Sequence, residues 1–149
     1  MLSPDAQRVA QVLGSMLVDL TTEGRKGSKD LAWLRDTLPQ RVAAIDARGR
    51  ELAAGHAGTD AELQVWYNTG HAYFTAWNYV RWARAPLDAD EAEQARWAEA
   101  IAGPLAEAAA HDHDEAERRF GQLADPGHPA AADSVLPAIG RQMLDALAP

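Results

Sequence analysis

An all-α fold is predicted for this chain by three features of its sequence. Alanine, the strongest helix former, supplies 32 of the 149 residues, while β-branched residues are sparse. Large apolar side chains recur at steps of three and four rather than two, the spacing of a helix face. Residues 65–80, VWYNTGHAYFTAWNYV, pass sixteen positions without a charge, as expected of a helix buried on most sides. Together these predict one domain over residues 1–149: a bundle of six or seven mostly antiparallel helices around a central aromatic helix at about residues 60–85.

The first helix opens with Ser3 as N-cap, Pro4 in the first turn and Asp5 beside the positive end of the dipole. Val9, Val12, Leu13, Met16, Leu17 and Leu20 form its apolar stripe, and the two glycines of TTEGRKGS (21–28) are expected to break it. Ser28 then caps a helix from about Lys29 to Leu38, carrying Leu31, Trp33 and Leu34. Pro39 lacks an amide hydrogen and crowds the preceding turn, so a kink or restart is expected there. A weaker stripe of Val42, Ile45 and Leu52 follows to about Ala54.

Thr59 and Glu62 have capping-box spacing, which predicts the threonine on the third amide and the glutamate on the threonine's own amide. The aromatic helix is then expected from Asp60 to Ala85, stopping before Pro86. Asp88 and Glu91 repeat the spacing ahead of a helix holding Trp97, Ile101 and Leu105, bent or divided at Gly103-Pro104. Asp112 or Asp114 would cap a short helix through Ala116, Phe120 and Leu123, closed by the turn at 125–129. Leu136, Ile139, Met143 and Leu147 line the last helix.

Without cysteine there is no disulfide framework and no thiolate metal site. The first residues lack the basic and apolar regions of a secretory signal, and the longest uncharged run is too short and polar to span a bilayer. A cytoplasmic, soluble protein is the expectation, with no membrane partner. The formal net charge is −8, and it is uneven: residues 1–84 carry ten basic and nine acidic side chains, residues 85–149 four and thirteen. An acidic surface opposes nucleic-acid binding, which depends on neutralising phosphates. It suits a basic protein partner instead.

The aromatic helix is where candidate chemistry concentrates. Trp66, Tyr67, Tyr73, Phe74, Trp77 and Trp82 offer rings for stacking and cation–π attraction. Asn68, His71 and Asn78 run among them as polar groups that either pair with neighbouring helices or face a cavity. The expected function is a helical binding protein whose pocket, lined by these nine residues, takes an aromatic or cationic organic ligand. Two other classes compete: an interaction module, as a homodimer or an acidic inhibitor of a basic partner, and a cofactor-free enzyme with His71 as general acid or base. His111, His113 and Glu117 include a pair at helical-turn spacing able to share a metal ion. The remaining ligands have no evident source, so neither metal nor cofactor is expected.

Overall fold

The computed structural model describes residues 1–149, and it is all-helical, with no strand. Its α-helices are α1 (Pro4–Gly27), α2 (Leu38–Ala53), α3 (Asp60–Arg81), α4 (Glu91–Ala102), α5 (Pro104–Ala124) and α6 (Leu136–Leu147). A π turn at Trp33–Thr37 leads directly into α2, and a 3-10 turn at Ala131–Asp133 precedes α6. Helix α3 packs against α1, α2, α5 and α6, whereas α4 packs chiefly on α5. Val9, Leu13, Leu34, Ile45, Leu63, Trp97, Phe120 and Leu123 are among the fully buried side chains.

Ser3 caps α1 as expected, its Oγ accepting from the Ala6 amide at 3.1 Å. The same hydroxyl donates to Asp60 Oδ1 at 2.6 Å, and the Ser3 amide donates to Asp60 Oδ2 at 2.8 Å, so the N-termini of α1 and α3 are tied together. These bonds hold the Asp60 carboxyl below its usual range. The glycines at 24 and 27 do not break α1, contrary to expectation. Both are buried under aromatic rings: a Cβ at Gly24 would collide with Tyr79, and one at Gly27 with Trp33. Close helix packing, rather than chain reversal, explains why glycine stands there. Trp33 also meets Tyr79 edge to face, with centroids 5.7 Å apart, and its Nε1 donates to Glu23 at 2.8 Å.

Pro39 stands in the first turn of α2, so a new helical segment begins there as expected, but with no break in the chain's helical course. The chain widens into the π turn just before it, with the Leu38 amide bonded to the Trp33 carbonyl. A widened turn relieves the crowding that a proline ring imposes on the turn before it. The capping box at Thr59 also differs from expectation. Thr59 Oγ1 donates to the His56 carbonyl at 2.6 Å, and Glu62 Oε1 accepts from the Gly58 amide at 3.2 Å rather than from Thr59. The cap of α4 is Asp90, not Asp88: its Oδ1 accepts from the Glu93 amide at 2.8 Å.

Helix α3 ends at Arg81, four residues before the expected Ala85, and the chain from Ala83 to Pro86 leaves the helix. Gly103-Pro104 divides α4 from α5. No helix starts at Asp112 or Asp114, because α5 runs unbroken through both. The inward stripe of α5, Leu105, Ala116, Phe120 and Leu123, continues across those positions and holds the helix together by burial.

Candidate functional site

The polar groups of α3 are satisfied largely within the helix. Gln64 Nε2 donates to Asn68 Oδ1 at 2.8 Å, Thr69 Oγ1 donates to the Val65 carbonyl at 2.8 Å, and Asn78 Oδ1 accepts from Arg81 at 3.0 Å. No buried side-chain nitrogen or oxygen lacks a partner. Gln64, Asn68 and Thr69 therefore meet the requirement that burial places on polar groups.

The nine residues read as one pocket are distributed around the helix. Tyr67, Asn68 and His71 come together in a shallow groove of about 290 Å³ between α3 and α1, opposite Gly14, Leu17 and Val18. His71 is half-buried, with ring centroids 4.6 Å from Tyr67 and 5.6 Å from Phe120, and burial lowers its pKa. No hydrogen-bonded carboxylate orients its ring. Trp66 lies on another side, its ring edge-on to His128 at 5.3 Å. Phe74 and Trp77 pack on one another at 5.8 Å, and the Arg81 guanidinium covers the Trp77 ring at 3.7 Å.

Tyr73 points into a buried ionic network that sequence reasoning missed. Arg119 of α5 donates from Nη1 to Asp46 Oδ1 at 2.7 Å and from Nη2 to Asp46 Oδ2 at 3.2 Å, a bidentate pair between α5 and α2. Tyr73 Oη donates to Asp46 Oδ2 at 3.0 Å, as does Arg50 Nη2, also at 3.0 Å. Glu115 accepts from Arg119 at 3.3 Å and from Arg118. Asp46 and Arg119 are 6% and 7% exposed, so the pair is desolvated. Burial pushes the Asp46 carboxyl up, but the bonds and charge of Arg119, with Tyr73 and Arg50, outweigh it and leave the pKa lowered. Burial and the Asp46 charge raise the Tyr73 phenol to about 12. The signal for this network was present in the sequence: Asp46 adjoins Ile45 four residues after Val42, and Arg119 stands between Ala116 and Phe120. A charge on an apolar stripe requires a partner.

The other titratable groups singled out on α5 are used separately. His113 Nε2 donates to the Leu147 carbonyl of α6 at 2.7 Å, and its ring lies 5.1 Å from Trp77. His111 is exposed beside the Tyr73 ring, and Glu117 faces outward. No three His, Asp or Glu side chains converge as metal ligands. Asp112 lies half-buried, and burial with the nearby Glu115 charge raises its carboxyl to about 7.

The largest cavity, about 550 Å³, is at the C-terminal end of α3. Asn78, Tyr79 and Trp82 contribute from α3 and its cap, Ser28 and Lys29 from the end of α1, and Arg84 to Asp88 from the following segment. Trp82 is 69% exposed and Leu87 98% exposed at its rim. Arg81 lies over the Trp82 ring at 4.6 Å, and Arg25 stands near Tyr79. The arrangement combines ring faces with cationic groups. No family model, curated protein or solved structure matches this chain.

Proposed function

We propose that the chain is a single-domain bundle arranged about α3, and that it binds a flat organic ligand in the cavity at the C-terminal end of that helix. The observation that carries this reading is the exposed Trp82 ring beside Tyr79, Lys29 and Arg84 in the largest concavity of the molecule. An exposed tryptophan at a cavity rim supplies stacking area beyond what Arg81 covers. Lys29 and Arg84 against Asp88 give the lining an excess of positive charge, which favours an anionic ligand over a cation. A volume of about 550 Å³ lies within the range of small-molecule sites.

Titration with a panel of aromatic carboxylates and phosphates, followed by tryptophan fluorescence and melting temperature, tests the reading. Saturable quenching is expected, abolished in Trp82→Ala and weakened at least tenfold in Lys29→Gln/Arg84→Gln. A panel that changes neither signal overturns it.

A second reading rests on the same exposed side chains. Trp82 and Leu87 together would serve as an apolar anchor for a protein partner, in which case the surrounding cations select an acidic surface. Light scattering at increasing salt separates the two: an association that dissolves with salt and with Leu87→Asp supports the partner, and a monomer throughout rejects self-association.

A further inference from the structure

A second concavity, remote from the aromatic one in its residues, lies over the buried ion network. It has a volume of about 260 Å³ and is lined by Asp46, Arg50, Ala53, Val65, Trp66, Arg118, Arg119 and Gln122. Three guanidinium groups from two helices face it with a single carboxylate, in a chain whose net charge is −8. Glu115, bonded to Arg118 and Arg119, is the other anion in contact with this group. Counting both carboxylates, the cluster retains one positive charge.

The three arginines are used differently. Arg119 is 9% exposed at its side chain and is committed to Asp46 and Glu115. Arg50 and Arg118 are 73% and 58% exposed, and each engages a carboxylate through Nη2 alone. A guanidinium has five N–H donors in a planar fork, so Nε and Nη1 of both remain able to donate. Ordinary surface arginines swing freely, but these two are tethered at one nitrogen by carboxylates that the fold holds in place. Asp46 is itself fixed by Arg119 and Tyr73. Val65, Ala53 and Trp66 add apolar surface to the lining.

We propose that this arginine-lined cleft is an oxyanion site, taking the carboxylate or phosphate group of a small molecule between Arg50 and Arg118, with the rest of that molecule against Trp66. Planar forks match the paired oxygens of both groups. Arg119 and Asp46 act as the rigid base of the site and do not release one another. Glu115 limits its net charge while tethering Arg118.

Calorimetric titration of the full chain with inorganic phosphate and, separately, with propionate tests the proposal, with sodium chloride at equal ionic strength as control. Saturable heat with at least one of the two anions, and none with chloride, is expected. Which anion binds distinguishes a phosphate source from a carboxylate source. Arg50→Gln/Arg118→Gln should weaken binding at least tenfold, and Arg118→Lys less than Arg118→Gln. Both arginines are exposed, so these variants should keep the parental circular dichroism and melting curve. Trp66 fluorescence should respond to the bound anion, and Trp66→Phe should lose that signal while retaining the heat. Heat from neither anion, an equal response to chloride, or unchanged affinity in the double glutamine variant would each overturn the site.

Discussion

At the scale of single residues, the Asp46–Arg119 pair is where the loss of one partner is felt most. Both charges are buried, so removing either leaves the other desolvated with only its secondary partner, Arg50 for Asp46 and Glu115 for Arg119. Arg119→Met should therefore lower unfolding free energy by about 3–5 kcal/mol. Adding Asp46→Leu should restore part of the loss, because an apolar pair of similar volume no longer carries a desolvation penalty, although Tyr73 Oη then loses its acceptor. Urea midpoints at constant slope measure both. His128 shows a different use of a buried polar residue. Its Nδ1 accepts from the Ala130 amide at 3.1 Å, so its Nε2 carries the hydrogen and donates to Glu62 at 2.9 Å. This fixes one tautomer and joins the 125–135 segment to the start of α3. Asp46 and Arg119 stand 73 residues apart and Glu62 and His128 stand 66 apart, and for that reason these pairings were not legible in the sequence. The presence of misplaced charges on the stripes of α2 and α5 was.

Among the elements, α1 shows how far glycine content can mislead. Gly24 and Gly27 read as a helix break, yet they are the two places where α1 admits aromatic rings. Gly27→Ala should destabilise the protein by about 1–3 kcal/mol through overpacking against Trp33, despite alanine's better helix propensity. Gly14, also in α1, has nothing within 4 Å of where a Cβ would stand. Gly14→Ala should stabilise by about 0.5–1 kcal/mol. Opposite shifts in melting temperature for the two variants check the distinction. Periodicity was enough to place the apolar stripes, including the uncharged run inside α3. The caps were less legible, because Asp88 and Asp90 offer the same chemistry two residues apart, and only the path of the chain out of Pro86 decides between them. The candidate site suffered from the same limit. A wheel of α3 shows rings on nearly every side, but which of them reach a cavity depends on where α1, α2 and α5 lie. Of the nine residues, Asn78 and Trp82 line the largest cavity, while Tyr73 is taken up by the ion network.

Over the whole molecule, protonation links these sites to stability. Asp46 and Asp60 have lowered carboxyl pKa values, so the stability they contribute is present above about pH 4, the unfolded value, and is lost as pH falls through their folded values. Asp112 has the opposite sign. Folded, it holds its proton to about pH 7, while the unfolded chain loses it near pH 4, so stability declines as pH rises between those limits. Asp112→Asn should be more stable than the parent by about 1–3 kcal/mol at pH 8, with the gain gone near pH 4; denaturation at the two pH values decides it. The π turn before Pro39 links these scales in another way. Counted at about 100° per residue, Leu34 would fall at the edge of the line through Leu38, Val42, Ile45 and Gly49, and Trp33 would point more than a third of a turn away from it. The wider turn takes up that offset, so both stretches face inward. It works as a phase correction for everything downstream. Deleting one residue between 33 and 37 would let this turn close to an ordinary α turn with α2 still in phase, whereas deleting one between 39 and 41 would rotate the rest of α2 by about 100° and carry Asp46 away from Arg119, dismantling the ion network and the floor of the arginine cleft with every one of its members still in the sequence.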